Sequence, residues 1–136
     1  MTTYSLTIRV YYEDTDAGGI VYHARYLAFA ERARTEALRQ AGVPHYELVT
    51  QFGLIFVVRR VRMDYLRPVR LDAELTVQTG PWALGAATVD VRQVFESEGQ
   101  ETGRLQVGLA CVRAADGRPA RMPARWRDAL ASQKAR

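Results

Sequence analysis

Apolar and polar positions along this 136-residue chain change period twice. Leu6, Ile8, Val10 and Tyr12 alternate with Thr7, Arg9 and Tyr11, the two-residue period of a strand buried on one face. From about Arg25 to Ala41 the period lengthens. Tyr26, Ala30, Ala33, Ala37 and Ala41 recur at three- and four-residue steps with Phe29 beside them, so the spacing predicts a helix. Because that face is mostly alanine, a sheet can close tightly on it. Gly42 supplies a left-handed stop and Pro44 prevents continuation. A short helix or turn follows from Pro44 to near Gly53. Four strand signals come next, Leu54–Arg67, Ala73–Gly80, Ala86–Glu98 and Gly103–Ala115, separated by Pro68, Gly80-Pro81, Glu98-Gly99-Gln100 and Asp116-Gly117. From about Pro123 a short helix carries Trp126 and Leu130, with a disordered tail expected from about residue 131.

Strand, long helix, then four strands in hairpin-like succession read as one α+β domain over residues 1–136. One central helix is wrapped by an antiparallel sheet of about five strands. An open sheet leaves an edge to be covered. Hydrophobic residues at 48% and charged residues at 25% are ordinary for a globular protein. No apolar run approaches the roughly 20 residues of a membrane span, and Met1-Thr2-Thr3-Tyr4-Ser5 lacks the features of a signal peptide. The expected location is cytoplasmic, without membrane insertion. The single cysteine, Cys111, excludes an intramolecular disulfide and a cysteine metal cage, and within Leu109-Ala110-Cys111-Val112 it reads as a buried strand thiol. His23 and His45 have no partners at metal-ligand spacing, so no metal site is expected. The net charge is +4, and Lys134 is the only lysine. An arginine-based excess suits phosphate or carboxylate partners. Nucleic acid is disfavoured because no aromatic-basic RNA motif or recognition helix is present.

The densest chemistry lies between the first strand and the helix, in Tyr12-Glu13-Asp14-Thr15-Asp16-Ala17-Gly18-Gly19-Ile20-Val21-Tyr22-His23. A helix start offers unpaired N–H groups and positive dipole potential, and glycines let a backbone approach a ligand closely. Taken alone, Asp16 is a turn or capping aspartate. Asp14 and Glu13 crowd it with like charge that can tune a base, yet the simpler reading has them facing solvent or paired with an arginine such as Arg9. A calcium loop starting at Asp14 would need an acid where Arg25 stands. Tyr12 is either a core tyrosine on the face of Leu6, Ile8 and Val10 or a residue that orients a carboxylate. Arg59, Arg60, Arg62, Arg118 and Arg121 receive no assignment.

This segment, followed by Tyr26 and Glu31-Arg32-Ala33-Arg34 and, more loosely, by Phe56-Val57-Val58-Arg59 and Asp64-Tyr65, resembles the hot-dog-fold acyl-CoA thioesterases. The subgroup is related to 4-hydroxybenzoyl-CoA thioesterase and to the small thioesterase encoded beside the Tol-Pal envelope genes. The resemblance implies a hot-dog fold and hydrolysis of an acyl-CoA thioester to free acid and coenzyme A. Asp16 then coincides with the family's catalytic carboxylate, nucleophile or general base. Backbone N–H groups near His23 would polarise the carbonyl, His23 and Tyr12 would assist, and Gly18, Gly19, Val21 and Tyr22 would contact substrate. No cofactor is implied, since coenzyme A belongs to the substrate. A homodimer joined edge to edge is implied, commonly paired again into a tetramer. Two other readings stay open: a 3-hydroxyacyl-thioester hydratase or dehydratase on the same fold, and a non-catalytic partner protein at the inner face of the envelope.

Overall fold

A computed structural model describes residues 3–132. β1 (Tyr4–Arg9) leads through a single 3-10 turn (Tyr12–Asp14) into α1 (Arg25–Gln40) and α2 (His45–Phe52). β2 (Leu54–Tyr65), β3 (Glu74–Leu84), β4 (Thr88–Ser97) and β5 (Gln100–Arg113) follow, with α3 (Ala124–Ala131) last. All the strand pairings are antiparallel, in the order β1-β3-β4-β5-β2. This is the α+β hot-dog arrangement, with one long helix seated on a five-stranded sheet. Residues 133–136, where the sequence reading places most of a tail, lie outside the described residues; α3 itself runs to Ala131.

The alanine stripe works as its spacing suggests. Tyr26, Phe29, Ala30, Ala33, Ala37 and Leu38 are buried against the sheet, where Leu75, Val77, Val91, Phe95 and Val107 meet them. Gly42 and Gly53 both adopt positive φ, at 84° and 64°, and end α1 and α2. Cys111 is buried in β5, and burial pushes its thiol up, as suits a structural cysteine.

Three expectations need correction. The last four strands are not one hairpin succession, because β2 lies at the edge beside β5 and β3 pairs with β1. Gly80-Pro81 does not separate strands: β3 continues through it to Leu84, absorbing the pair as a register shift between Thr79 and Trp82. A bulge accommodates a proline that a regular ladder would reject. In addition, β1 ends at Arg9, so its alternation does not carry Tyr12 onto the core face. Val10 donates its N–H to Ala73 O at 2.9 Å, and the chain then leaves the sheet.

The sheet has unequal edges. β1 spans 6 residues and β2 spans 12, with Val57, Val58 and Val61 exposed along β2 beside exposed Leu27 of α1. None of the helices is long and apolar enough to cross a membrane among the described residues.

The C-terminal helix is fastened to α2. Glu47 accepts hydrogen bonds from Arg125 Nε (3.0 Å) and Nη2 (2.9 Å) and from Trp126 Nε1 (2.8 Å). The Arg125 and then the Trp126 hydrogen bonds hold the Glu47 carboxyl below its ordinary value of 4.5. A depressed folded-state pKa gives stability that is present above the unfolded value and is lost as pH falls through the folded one. We therefore expect Glu47→Gln to flatten the acid limb of the stability profile below about pH 4.5, followed by Trp126 fluorescence. An unchanged acid limb would show that this latch carries no pH-dependent stability.

Candidate active site

The loop between β1 and α1 is built around a buried carboxylate. Asp14 is only 2% exposed; it accepts the Tyr11 N–H at 2.8 Å and Arg25 Nε at 2.6 Å, while its carbonyl takes the Tyr22 N–H at 2.9 Å. Arg25 also reaches Glu13 at 3.2 Å. The first residue of α1 thus ties the helix start to the loop, in the position where a calcium loop would have placed an acid. The expected partnership with an arginine is present, but the partner is Arg25. Arg9 turns instead to Glu74 and the Asp72 carbonyl.

With Asp14 held inward, Asp16 is left at the surface. The loop folds on itself through a Thr15–Val21 bridge, and Asp16 N–H donates to Ile20 O at 2.9 Å. A neighbouring strip holds it down: Val21 N–H donates to Val69 O, and Leu71 N–H to Gly19 O. Asp16 Oδ1 accepts the Gly18 N–H at 2.8 Å, an aspartate turn that fixes the carboxylate's direction. A Cβ on Gly18 would stand 3.2 Å from that oxygen, so the glycine keeps the carboxylate where it is.

Asp16 opens onto a cleft of about 350 Å³ whose lining includes Val21, His23, Tyr26, Tyr65 and Arg67. The N–H groups of His23 and Ala24, just ahead of α1, have no hydrogen-bond acceptor among the described residues. Such groups carry the positive end of the helix dipole. Tyr65, from the end of β2, donates its hydroxyl to His23 O at 2.8 Å and so fixes the helix entrance against the sheet. Beneath it, Tyr26 packs edge-on against Tyr65 and Phe95. Burial, then the neighbouring Tyr65, push the Tyr26 hydroxyl up to about 12, so it stays a neutral phenol in the cleft wall.

The sequence-derived residues are therefore divided. Asp16, His23 and Val21 share the cleft; Gly18 and Gly19 shape its loop; Tyr22 packs against the His23 ring, tilted at 52° with centroids 4.5 Å apart, and is not among the cleft's lining residues. Tyr12 is 83% exposed, outside the core cluster, and its side chain makes no hydrogen bond to Asp16 among the described residues. The core-tyrosine reading fails because the chain has already left the sheet. Tyr65 was missed as a positioning residue: its contact with His23 spans 42 positions, and no local pattern announces it. A larger hollow, about 660 Å³, lies on the opposite face of the sheet among Arg60, Arg62, Asp90 and Arg92. It has neither a helix entrance nor a carboxylate held by a turn like that of Asp16, so size alone does not make it the site.

Comparison with known proteins agrees with this geometry. Residues 18–104 match the Thioesterase superfamily. The chain is 39% identical over 123 residues to the acyl-CoA thioester hydrolase YbgC of Escherichia coli, covering 90% of this chain and 91% of that one. It is 41% identical over 120 residues to the acyl-CoA thioesterase YbgC of Haemophilus influenzae, covering 88% of each. Its fold matches the crystal structure of a probable thioesterase from Bartonella henselae with a TM-score of 0.84 at 35% identity, covering 89% of this chain and 99% of that one. The chain belongs to the hot-dog thioesterase superfamily.

Removing the Asp14 carboxylate would leave the Tyr11 N–H and the Arg25 Nε–H without their acceptor. Asp14→Ala is expected to cost about 1–3 kcal/mol of stability in urea unfolding. A loss within about 0.5 kcal/mol, the range of ordinary surface changes, would contradict its role as the pin of this loop.

Proposed function

We propose that this protein hydrolyses acyl-CoA thioesters, releasing the free acid and coenzyme A. The observation that carries the reading is Asp16, an exposed carboxylate oriented by Gly18 at the mouth of a cleft whose other wall is a helix start with free N–H groups. The thioester carbonyl rests against the His23 and Ala24 N–H groups, which stabilise the oxyanion as the tetrahedral intermediate forms. Asp16 acts on the opposite side of the carbonyl carbon, as nucleophile through a mixed anhydride or as general base on water. His23, packed against Tyr22, lines the same cleft and assists proton movement or carbonyl binding. The loop backbone at Gly18 and Gly19 lets the thioester approach. The chemistry asks for a carboxylate, water and oxyanion donors, and requires no metal or redox cofactor.

The names of the YbgC relatives support the substrate class, and belonging to the thioesterase superfamily favours hydrolysis over hydration of a double bond. The chain works in the cytoplasm, where a lone reduced Cys111 is at home.

The working unit is a homodimer, or a pair of dimers, joined through β2. A 12-residue edge with exposed valines is a template for a second strand, and an antiparallel copy of β2 covers it. Tyr65 and Leu66, at one end of this strand, line the Asp16 cleft, so such pairing brings the other end of the second copy's strand beside the site. Tyr12, extended into solvent in a single chain, belongs to this completed site.

Two measurements test the reading. Across a panel of acyl-CoAs with free thiol as readout, wild type should turn over and Asp16→Asn should lose on the order of 10²–10⁴-fold in kcat, with unfolding and coenzyme A binding nearly unchanged. Turnover undiminished in Asp16→Asn would overturn the assignment of Asp16. Light scattering at micromolar concentration should give the mass of two or four chains; a monomer with full activity would refute the β2 interface.

A further inference from the structure

The reaction at the helix entrance leaves one charged group of the core unused. His23, Leu27, Glu31 and Arg34 follow at three- and four-residue steps, so they form one stripe leading along α1 from the catalytic cleft. Opposite them, Val58 and Val61 of β2, with Leu105 of β5, close a second hollow of about 220 Å³ against Leu27, Glu31 and Arg34. Tyr65 of the same strand lines the Asp16 cleft. The two hollows therefore succeed each other along the seam between α1 and β2. One end is catalytic, the middle is apolar at Leu27, Val58 and Val61, and the far end is charged.

Arg34 is 8% exposed. Its Nη1 donates to Gln93 Oε1 at 3.0 Å, and the Gln93 amide nitrogen donates in turn to Ala30 O and Thr79 Oγ1, each at 2.9 Å. This chain fixes the guanidinium in place but supplies only a neutral acceptor. Among the described residues Arg34 forms no ion pair; Glu31, on the same stripe, acts on it only through its field. Burial, and after it the Arg34 charge, hold the His45 imidazole below its ordinary pKa. Of the Arg34 nitrogens only Nη1 is hydrogen-bonded among the described residues, and the others are not shut away from water, so a group that displaces that water must return a hydrogen bond. Here the guanidinium borders the hollow that comes next along α1 from the reactive cleft.

We propose that Arg34 reads the distal end of the acyl group: the seam takes an acyl chain whose far end carries a hydrogen-bond-accepting oxygen, a carboxylate or a hydroxyl, which Arg34 receives. This rests on the thioesterase reading and deepens it. Arg34 lies nine residues along α1 from Arg25, about 13–14 Å of axis, less the tilt of the arginine towards the helix N-terminus, and His23 stands two residues ahead of that start. Short acyl groups never reach it. A longer chain ending in methyl displaces water from the guanidinium and returns no hydrogen bond, whereas an oxygen-ended chain replaces what it removes.

The test compares kcat/KM for acyl-CoAs of matched length ending in methyl, hydroxyl or carboxylate, in wild type and Arg34→Gln, with mass and thermal midpoint recorded for both proteins. At lengths that reach Arg34, wild type should favour one or both oxygen-ended series by on the order of 10–100-fold. A gain confined to the carboxylate arm identifies an anionic terminus; a gain in both identifies any acceptor. The preference should vanish for short acyl groups, and Arg34→Gln should collapse the ratio. Equal kcat/KM for all three ends at every length, or a ratio unchanged in Arg34→Gln, would overturn the proposal. The wild-type comparison decides alone if the variant does not fold. Turnover of methyl-ended substrates without end preference defeats only the role of Arg34. Failure to turn over any acyl-CoA defeats the thioesterase assignment, and this inference with it.

Discussion

The Asp14–Arg25 ion pair is the contact on which the rest of the site depends. Its two members come from the loop and from the first residue of α1, so it decides how the helix meets the sheet and where the loop points. With the Asp14 carboxylate turned inward, the second carboxylate, Asp16, two positions on, is turned out into the cleft and tethered by Gly18. Two acids of the same type thereby take opposite duties. One is buried and satisfied by permanent donors; the other is exposed at the end of a short turn, with a lone pair to offer. Tyr65 completes the arrangement from the far side by holding the His23 carbonyl, which fixes the helix entrance beside the cavity.

The same economy governs the core. Alanines at 30, 33 and 37 let the sheet approach α1 closely, and that closeness brings Gln93 of β4 within reach of the Ala30 carbonyl and the Arg34 guanidinium. A polar chain in an apolar core is tolerated because each amide group of Gln93 is used. It also sets α1 against the sheet at one register, so the catalytic and distal ends of the seam keep a fixed separation. The seam runs along β2, and an edge strand this long joins the assembly of the protein to the shape of its substrate groove.

Much of this architecture was legible in local pattern. The alanine stripe, Gly42, Pro44 and Gly53 mark both helices because helix faces and stops are encoded within a few residues. The short C-terminal helix with Trp126 and Leu130 was readable for the same reason, as was the pairing of glycines with Asp16. Contacts across long separations were not. Tyr65 and His23 are 42 positions apart, Arg34 and Gln93 are 59, and nothing near either pair foretells the meeting. Tyr12 misled because strand alternation has no marker for where a strand ends, and here Val10 is the last residue tied to the sheet. Gly80-Pro81 misled for the complementary reason: a dipeptide that usually breaks a strand was absorbed as a bulge, with pairing resuming at Trp82.

The central claim is that the thioester carbonyl lies between Asp16 and the helix entrance. The most direct measurement is a crystal structure with a 2-oxoalkyl thioether of coenzyme A, which keeps the carbonyl but cannot be hydrolysed. The account predicts the ketone oxygen about 2.7–3.1 Å from the His23 or Ala24 N–H. It places the Asp16 carboxylate about 3–3.5 Å from the carbonyl carbon, or one water away. A ketone seated in the hollow of Arg60, Arg62 and Arg92 on the opposite sheet face, with the Asp16 cleft empty, would contradict it.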